Sequence, residues 1–107
     1  MFVLSLREVF LSLQQRLDGQ EMKGLNATYQ FELDGEEEGV YHIVFTDGAG
    51  KVGEGPVAAP SLTVTMSEND FRAMLSGQLN PAAAFMGGKL KIKGDLSLAM
   101  KLQSFLS

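Results

Sequence analysis

The segment from Ala84 to Gln103 reads AFMGGKLKIKGDLSLAMKLQ and changes its hydrophobic period near its middle. Leu90 and Ile92 alternate with lysines at 89, 91 and 93, which is the period of a β-strand with one dry and one polar face. Asp95 follows at the position of a helix N-cap. The residues after it are apolar on more than one side, so the segment predicts a strand and then a terminal helix over 95–105.

Two further helices are predicted just before this segment. Ser67 and Asp70 have the spacing of an acidic capping box. The helix that they begin ends at Gly77 and carries three apolar residues on one face, Phe71, Met74 and Leu75. Asn80-Pro81 is an N-cap followed by proline at the first helical position, which predicts a short helix ending at Gly87-Gly88.

The first half of the chain predicts one helix and four strands. Leu6, Phe10, Leu13 and Leu17 recur at helical spacing, and a second apolar strip at Leu4 and Leu11 predicts that this helix is covered on two sides. From Leu25 the period becomes two, and strands are predicted at Leu25–Leu33, Tyr41–Phe45, Lys51–Glu54 and Leu62–Met66. This order of elements predicts an α+β fold with helices on a single face of the sheet.

Composition limits the class of protein. The 107 residues are the length of one domain, and 45% hydrophobic with 21% charged residues is typical of a globular chain. A net charge of −4 argues against nucleic-acid binding, and the absence of cysteine fits a reducing compartment. Arg7 and Glu8 interrupt the apolar start, so we expect that start to belong to the fold and not to a signal peptide.

Motifs for catalysis or cofactor binding are weak. Gly48 to Gly53 matches the dinucleotide fingerprint, but Glu54-Gly55-Pro56 follows it where the phosphate-binding helix should begin. We interpret the motif as a turn and an edge strand. His42 is the sole histidine, and a surface position on a strand is the simpler reading of it. No catalytic residue, metal site or cofactor is predicted, although an enzyme is not excluded.

Two features remain open to more than one interpretation. The lysines at 89, 91 and 93 either protect an exposed strand edge or contact an anionic lipid headgroup or membrane surface. Six methionines and seven phenylalanines give the helices more apolar surface than one sheet covers. That excess is typical of plain core, of a homodimer or partner-protein interface, or of a ligand site.

Several stretches together resemble the sterol carrier protein 2 (non-specific lipid-transfer) family. The longest is Ala84 to Gln103, quoted above, and TMSENDFRAMLSGQLNP (Thr65 to Pro81) precedes it in register. ATYQFEL (Ala27 to Leu33) and GKVGEGP (Gly50 to Pro56) fit the first and third strands of the family. The resemblance extends over nearly the whole chain, residues 1–107, taken as one lipid-binding domain.

The resemblance implies a five-stranded, mostly antiparallel sheet with helices packed on one face, enclosing an apolar tunnel. It implies non-enzymatic binding and transfer of fatty acids, fatty acyl-CoA, sterols or phospholipids. The alternative is a non-lipid interaction module whose surplus apolar surface forms a homodimer or partner interface. Mapped by position, the lipid-binding candidates are Phe10, Leu13, Leu17, Phe71, Met74, Leu75, Phe85, Met86, Met100, Leu102 and Phe105.

The resemblance also guides expectations about setting. Peroxisomal members of the family end in a short address such as Ala-Lys-Leu, which Leu106-Ser107 does not match, so we expect a cytoplasmic protein. We expect a monomer or weak homodimer that binds lipid, makes at most transient contact with membranes and does not bind nucleic acid. The terminal helix from Asp95 to Phe105 is the candidate gate, because its apolar faces exceed its expected contacts.

Overall fold

The fold consists of five helices and five strands within the part of the chain that the computed structural model describes, residues 4–18, 22–35 and 39–106 without the side chains of Gln103 and Phe105. In chain order the elements are α1 (Leu6–Asp18), β1 (Ala27–Asp34), β2 (Gly39–Thr46), β3 (Ala49–Glu54), β4 (Leu62–Ser67), α2 (Glu68–Leu75), α3 (Pro81–Met86), β5 (Leu90–Gly94), α4 (Leu96–Ala99) and α5 (Leu102–Leu106).

The five strands form one sheet in the order β3-β2-β1-β4-β5. The pairs β1–β2, β2–β3 and β4–β5 are antiparallel, and β1–β4 is parallel. The mostly antiparallel sheet predicted above is therefore confirmed. Alternate residues of β2 and β4 are buried, as their period of two requires. Strand β1 follows the same pattern except that Gln30, on its other face, is also buried. Asp47 and Gly48 both have positive φ, at 51° and 90°, which gives the tight turn between β2 and β3.

The helices lie on one face of this sheet, as expected. Helix α1 packs on β3, α2 packs on β4 and β1, and α3 packs on β5. Helix α1 buries the predicted face, Leu6, Phe10, Leu13 and Leu17. Its second apolar strip, however, is not covered among the described residues, because Leu4 is 40% and Leu11 is 59% exposed. The expectation that this helix is enclosed on two sides is wrong, since the sheet provides a surface on one side only.

Side-chain caps mark the starts of α1, α2 and α3. Ser5 and Glu8 form a reciprocal capping box at α1, with the Ser5 amide donating to Glu8 Oε1 at 3.0 Å. Ser67 Oγ accepts from the Asp70 amide at 3.1 Å, and Asn80 Oδ1 accepts from the Ala82 amide at 2.8 Å. The predicted starts of the two middle helices are confirmed.

The predicted terminal helix is interrupted. Helix α4 ends at Ala99, and α5 begins at Leu102. The Leu98 carbonyl accepts from the Lys101 amide at 3.1 Å and from the hydroxyl of Tyr29 at 2.7 Å. These two donors occupy the acceptor that a continuous helix would use for its next turn. The expectation of one helix over 95–105 is therefore wrong.

Candidate functional site

An apolar cavity of about 410 Å³ lies at the β5 end of the helical layer. Helix α3, strand β5 and the pair α4 and α5 each contribute to its wall. All ten side chains that line it are apolar: Pro81, Ala82, Phe85, Met86, Leu90, Ile92, Leu96, Ala99, Met100 and Leu102. The volume lies within the range of small-molecule sites, about 300–1,000 Å³.

The cavity has a buried floor and an exposed rim. Leu90 and Leu102 on the floor are only 2% and 1% exposed. On the rim, Met86 and Met100 are 86% and 82% exposed, and Phe85 and Leu96 are also exposed. A cluster of large, solvent-exposed apolar side chains around an apolar cavity is typical of an interaction or ligand site. The rim therefore distinguishes this cavity from ordinary core.

The position of β5 in the sheet explains why the cavity forms here. Strand β5 is an edge strand, so its helix-side residues have a neighbouring strand on one side only. Leu90 lies opposite Met66, and Ile92 lies opposite Val64, which places both on the dry face. Lys91 between them points to the polar face, as the pleat requires. The apolar face of β5 is thus covered only by short helices.

Helix α4 forms one wall of the cavity and is held to the sheet by few contacts. None of its four residues is fully buried. Tyr29, which is 0% exposed in the middle of the sheet, donates its hydroxyl to the Leu98 carbonyl at 2.7 Å. The Asp95 amide donates to the Ser61 carbonyl at 3.2 Å. These two hydrogen bonds attach the segment to the layer below it.

The electrostatics of this attachment favour a neutral tyrosine and a charged aspartate. Burial raises the pKa of Tyr29 from 10.0 to about 12, and the negative charge of Asp95 adds to the shift. Asp95 Oδ1 accepts hydrogen bonds from the hydroxyl of Ser97 at 2.7 Å and from its amide at 2.9 Å, and these bonds lower the pKa of Asp95. Tyr29 therefore stays a hydrogen-bond donor across the physiological range.

Four of the predicted lipid-binding residues meet at the cavity: Phe85, Met86, Met100 and Leu102. Five others lie in the main core at 3% exposure or less, namely Phe10, Leu13, Leu17, Phe71 and Met74. Leu75 is half-buried against that core. The side chain of Phe105 lies outside the described residues. A lipid-binding role for any of these residues stays a prediction.

The space below α1 is filled by aromatic rings. Phe10 stacks on Tyr41 at 4.2 Å and on Phe71 at 5.0 Å between ring centroids. Phe31 packs at a tilt against both phenylalanines, at 5.9 Å and 5.6 Å. Such contacts stabilise a close-packed core. Among the described residues, the apolar cavity consequently lies beside this core and not between the sheet and α1.

Six lining residues were not among the sequence candidates: Pro81, Ala82, Leu90, Ile92, Leu96 and Ala99. A signal for two of them is present in the chain. The sequence already placed Leu90 and Ile92 on the dry face of the last strand. Leu96 and Ala99 belong to α4, a separate short helix that the sequence did not predict.

Other depressions on the surface are weaker candidates for a binding site than the apolar cavity. One of them, of about 940 Å³, lies along β2 and β3 and has a mixed lining, which includes Val44 and Val52 as well as Asp18 and Lys51. Gln14 already bonds β3, because its amide group donates to the Gly50 carbonyl and accepts from the Val52 amide. His42 contacts the Gly55 carbonyl at 2.8 Å. Within residues 4–18, 22–35 and 39–106, no group of three acidic or histidine side chains is placed to hold a metal ion.

The glycine-rich motif is part of the sheet. Ala49–Glu54 is strand β3, and no helix begins after it before α2. The interpretation of Gly48 to Gly53 as a turn and an edge strand is confirmed. None of the helices that the structure describes is both long enough and apolar enough to cross a membrane.

These features define a class: a small α+β fold with one mixed sheet, helices on one face and an apolar cavity at the edge of the helical layer. The SCP-2 sterol transfer family matches residues 8–107, and the chain belongs to that family. The resemblance stated from the sequence is confirmed, as is the α+β fold that it implied, with a five-stranded sheet and helices on one face. The apolar tunnel that it also implied stays a prediction.

Individual relatives support this assignment. Hydroxysteroid dehydrogenase-like protein 2 of Mus musculus is 38% identical over 104 residues, which are 96% of this chain and 21% of that protein. The chain thus spans about a fifth of the length of that relative. The sterol carrier protein domain 2 of Helicoverpa armigera is 30% identical, with a TM-score of 0.70 over 91% of this chain and 81% of that one. Palmitated SCP2L2 of Aedes aegypti is 21% identical, with a TM-score of 0.82 over 96% of this chain and 95% of that one.

Proposed function

We propose that this chain binds long-chain lipids in the apolar cavity and carries them between a donor and an acceptor without chemical change. The ligand classes are fatty acids, fatty acyl-CoA, sterol-like molecules and phospholipids. The observation that carries the proposal is the lining of the cavity, in which all ten side chains are apolar. The palmitated state of the Aedes aegypti protein, which shares this fold, supports a fatty acid as one ligand.

Desolvation supplies the affinity in this proposal. Each buried methylene contributes about 0.8 kcal/mol, so a chain of about a dozen gains on the order of 10 kcal/mol. Loss of ligand freedom offsets several kcal/mol of that gain. Because the cavity wall offers no charged side chain, the site ranks ligands by length and girth more than by headgroup.

Helix α4 is the proposed gate for the ligand. Its Leu96 and Ala99 border the cavity, and the segment around it is attached through Tyr29 and Ser61. A four-residue helix with no buried residue opens at lower cost than α1 or α2, which bury large apolar side chains. The gate predicted from the sequence over Asp95 to Phe105 is thereby narrowed to its first half.

Chemistry and cellular setting complete the proposal. The cavity lining contains no titratable side chain that could act as an acid, a base or a nucleophile. The larger relatives are named as dehydrogenase-like proteins. For this chain we propose lipid binding and not a dehydrogenase reaction. We propose a cytoplasmic location, which the cysteine-free sequence supports.

Substitution of neighbouring alanines on α3 tests the proposal directly. Ala82 lines the cavity, whereas Ala83 is exposed on the same helix and is not part of the lining. Ala82→Phe fills part of the cavity and should weaken binding of a fluorescent fatty acid at least tenfold, the equivalent of about two lost methylene contacts. Ala83→Phe adds the same ring outside the cavity and should bind as the wild type does.

The proposal fails if the two alanine variants bind alike, or if native mass spectrometry after mild purification shows no lipid and the protein also ignores fluorescent fatty acid. A saturating ligand should also raise the melting temperature, since a ligand at a hundred times its Kd adds about 2.7 kcal/mol to stability.

The exposed rim also favours a second candidate, a homodimer or partner interface. Met86 and Met100 expose most of their surface, as interface residues do in a separated subunit. Light scattering separates the two candidates. A stable dimer whose melting temperature does not respond to long-chain lipid supports the interface, whereas a monomer stabilised by lipid supports the carrier.

A further inference from the structure

The charge of the chain is divided unevenly along the sequence. Residues 79–107, which include every residue that lines the cavity, contain four lysines and one aspartate, a net charge of +3. Residues 1–78 contain five basic and twelve acidic residues, a net charge of −7. The single acidic residue of the last part, Asp95, is engaged as the cap of α4. The cavity is therefore lined entirely by residues of a sequence segment that is net positive, although the whole chain is acidic.

Two of the four lysines have an explanation that needs no partner. Lys91 and Lys93 lie on the polar face of the edge strand β5, where lysine discourages pairing with other chains. Lys89 and Lys101 lie outside the strand, so edge protection does not explain them. Lys89 precedes the lining residue Leu90, and Lys101 stands between Met100 and Leu102. Both lysines are exposed, and each is next in sequence to a residue that lines the cavity.

We propose that the rim surface, formed by Phe85, Met86, Leu96, Met100, Lys89 and Lys101, docks on an anionic phospholipid bilayer. The apolar side chains enter the boundary between headgroups and acyl chains, and the two lysines remain at the level of the phosphates. The cavity then opens against the bilayer, and a ligand passes between them without crossing water. This inference rests on the proposed function for its purpose, but the docking itself is measured without any ligand.

Charge favours a bilayer over a second copy of the chain as the occupant. A two-fold symmetric dimer through this surface uses the same patch on both subunits. Both faces of such an interface would carry the positive charges of Lys89 and Lys101, and like charges at an interface oppose association. An anionic bilayer provides the complementary charge and also accepts the exposed methionines.

Sedimentation with vesicles tests the basic part of the surface. The wild-type protein should bind vesicles of phosphatidylcholine with phosphatidylserine, should bind vesicles of phosphatidylcholine alone much less, and should lose binding as salt is added. Lys89→Gln and Lys101→Gln should each weaken binding about fivefold, the factor expected per lysine near an anionic surface. Lys51→Gln removes an exposed lysine from β3, at the opposite edge of the sheet, and should have no effect.

A second pair of variants tests the apolar part. Met86→Ser with Met100→Ser should weaken binding more than tenfold, because each methionine contributes the burial of one large side chain. Leu11→Ser changes an apolar residue of α1 that is 59% exposed, and it should bind as the wild type does. All substituted side chains are exposed, and unchanged melting temperatures verify that the variants fold.

The proposal is overturned if the wild type ignores anionic vesicles, if the two control variants lose binding as much as the rim variants do, or if the rim variants only dissociate a dimer. Vesicle binding and fatty-acid binding are scored separately. Retained fatty-acid binding without vesicle binding refutes the docking surface alone. Vesicle binding by a protein that never takes up fatty acid refutes the proposed carrier function alone.

Discussion

Replacing Tyr29 by phenylalanine should loosen α4 and speed the exchange of bound lipid. The substitution removes one oxygen from a fully buried side chain and deletes the 2.7 Å hydrogen bond to the Leu98 carbonyl. The ring itself remains in place, and its edge contact with Phe45 at 5.7 Å is kept. The variant therefore isolates the attachment of the gate from the packing of the core.

The expected loss of stability depends on the hydrogen bond that the Leu98 carbonyl retains in the variant. It still accepts from the Lys101 amide at 3.1 Å, so no polar group is left without a partner. The loss is then that of an ordinary hydrogen bond, about 1 kcal/mol. For a chain of this length, that loss lowers the melting temperature by about 4–8 °C. If α4 must open for exchange, 1 kcal/mol raises the open population, and with it the exchange rate, about fivefold.

Stopped-flow displacement of a fluorescent fatty acid measures the exchange rate, and thermal unfolding measures the stability. Tyr41→Phe is the matched control, because Tyr41 is buried beneath Phe10 on β2, away from α4. Whatever stability Tyr41→Phe loses, its exchange rate should equal that of the wild type. Equal exchange rates in Tyr29→Phe and the wild type, or the same acceleration in both tyrosine variants, would refute the role of α4 as the gate.

Three further predictions concern the stability of the fold. The raised pKa of Tyr29 means that the native state holds this proton more tightly than the unfolded state does. The free energy of unfolding should therefore keep its full value below about pH 10 and fall by about 2–3 kcal/mol as the pH rises through about 12. Tyr29→Phe should lose this part of the alkaline dependence, and an unchanged alkaline profile would contradict the assignment. A side chain at Gly53 would collide with the ring of His42, which lies 2.8 Å from the Gly55 carbonyl. In urea unfolding, Gly53→Ala should therefore lower the free energy of unfolding by about 1–3 kcal/mol. Adding His42→Ala should recover most of this loss, and additive losses in the double variant would show that the ring is not the obstacle. Phe71→Ala should cost about 3–5 kcal/mol, because this fully buried ring packs against Phe10 and Phe31, whereas a cost below about 1 kcal/mol would mean that the space below α1 is not filled.

Much of this fold could be predicted from local patterns in the sequence. The alternation in Ala27–Asp34 and Leu62–Ser67 predicts which apolar side chains are buried, because a pleated strand turns successive residues to opposite faces. Ser67 and Asn80 predict two helix starts, because a cap is a contact within one turn. Such features depend on neighbours only a few residues apart in the chain.

The position of the cavity was only partly predictable. Periodicity identifies Phe10 and Phe71 as apolar and inward-facing, which holds equally for a tunnel wall and for a packed core. The stacking of these rings decides between the two, and it depends on α1 and α2 meeting over the sheet. Met86 and Met100 carried no sign of exposure in the pattern of residues around them, yet they form the rim.

The order of hydrophobic and polar residues dictated the elements, their caps and the face that each strand turns inward, because those preferences are settled within a few residues of chain. The break between α4 and α5 and the opening beside β5 arose from contacts between distant parts. Tyr29 reaches Leu98 across 69 positions of sequence, and β5 becomes an edge only once β4 has paired with β1. No local pattern encodes either event, since each is a consequence of how completed elements pack.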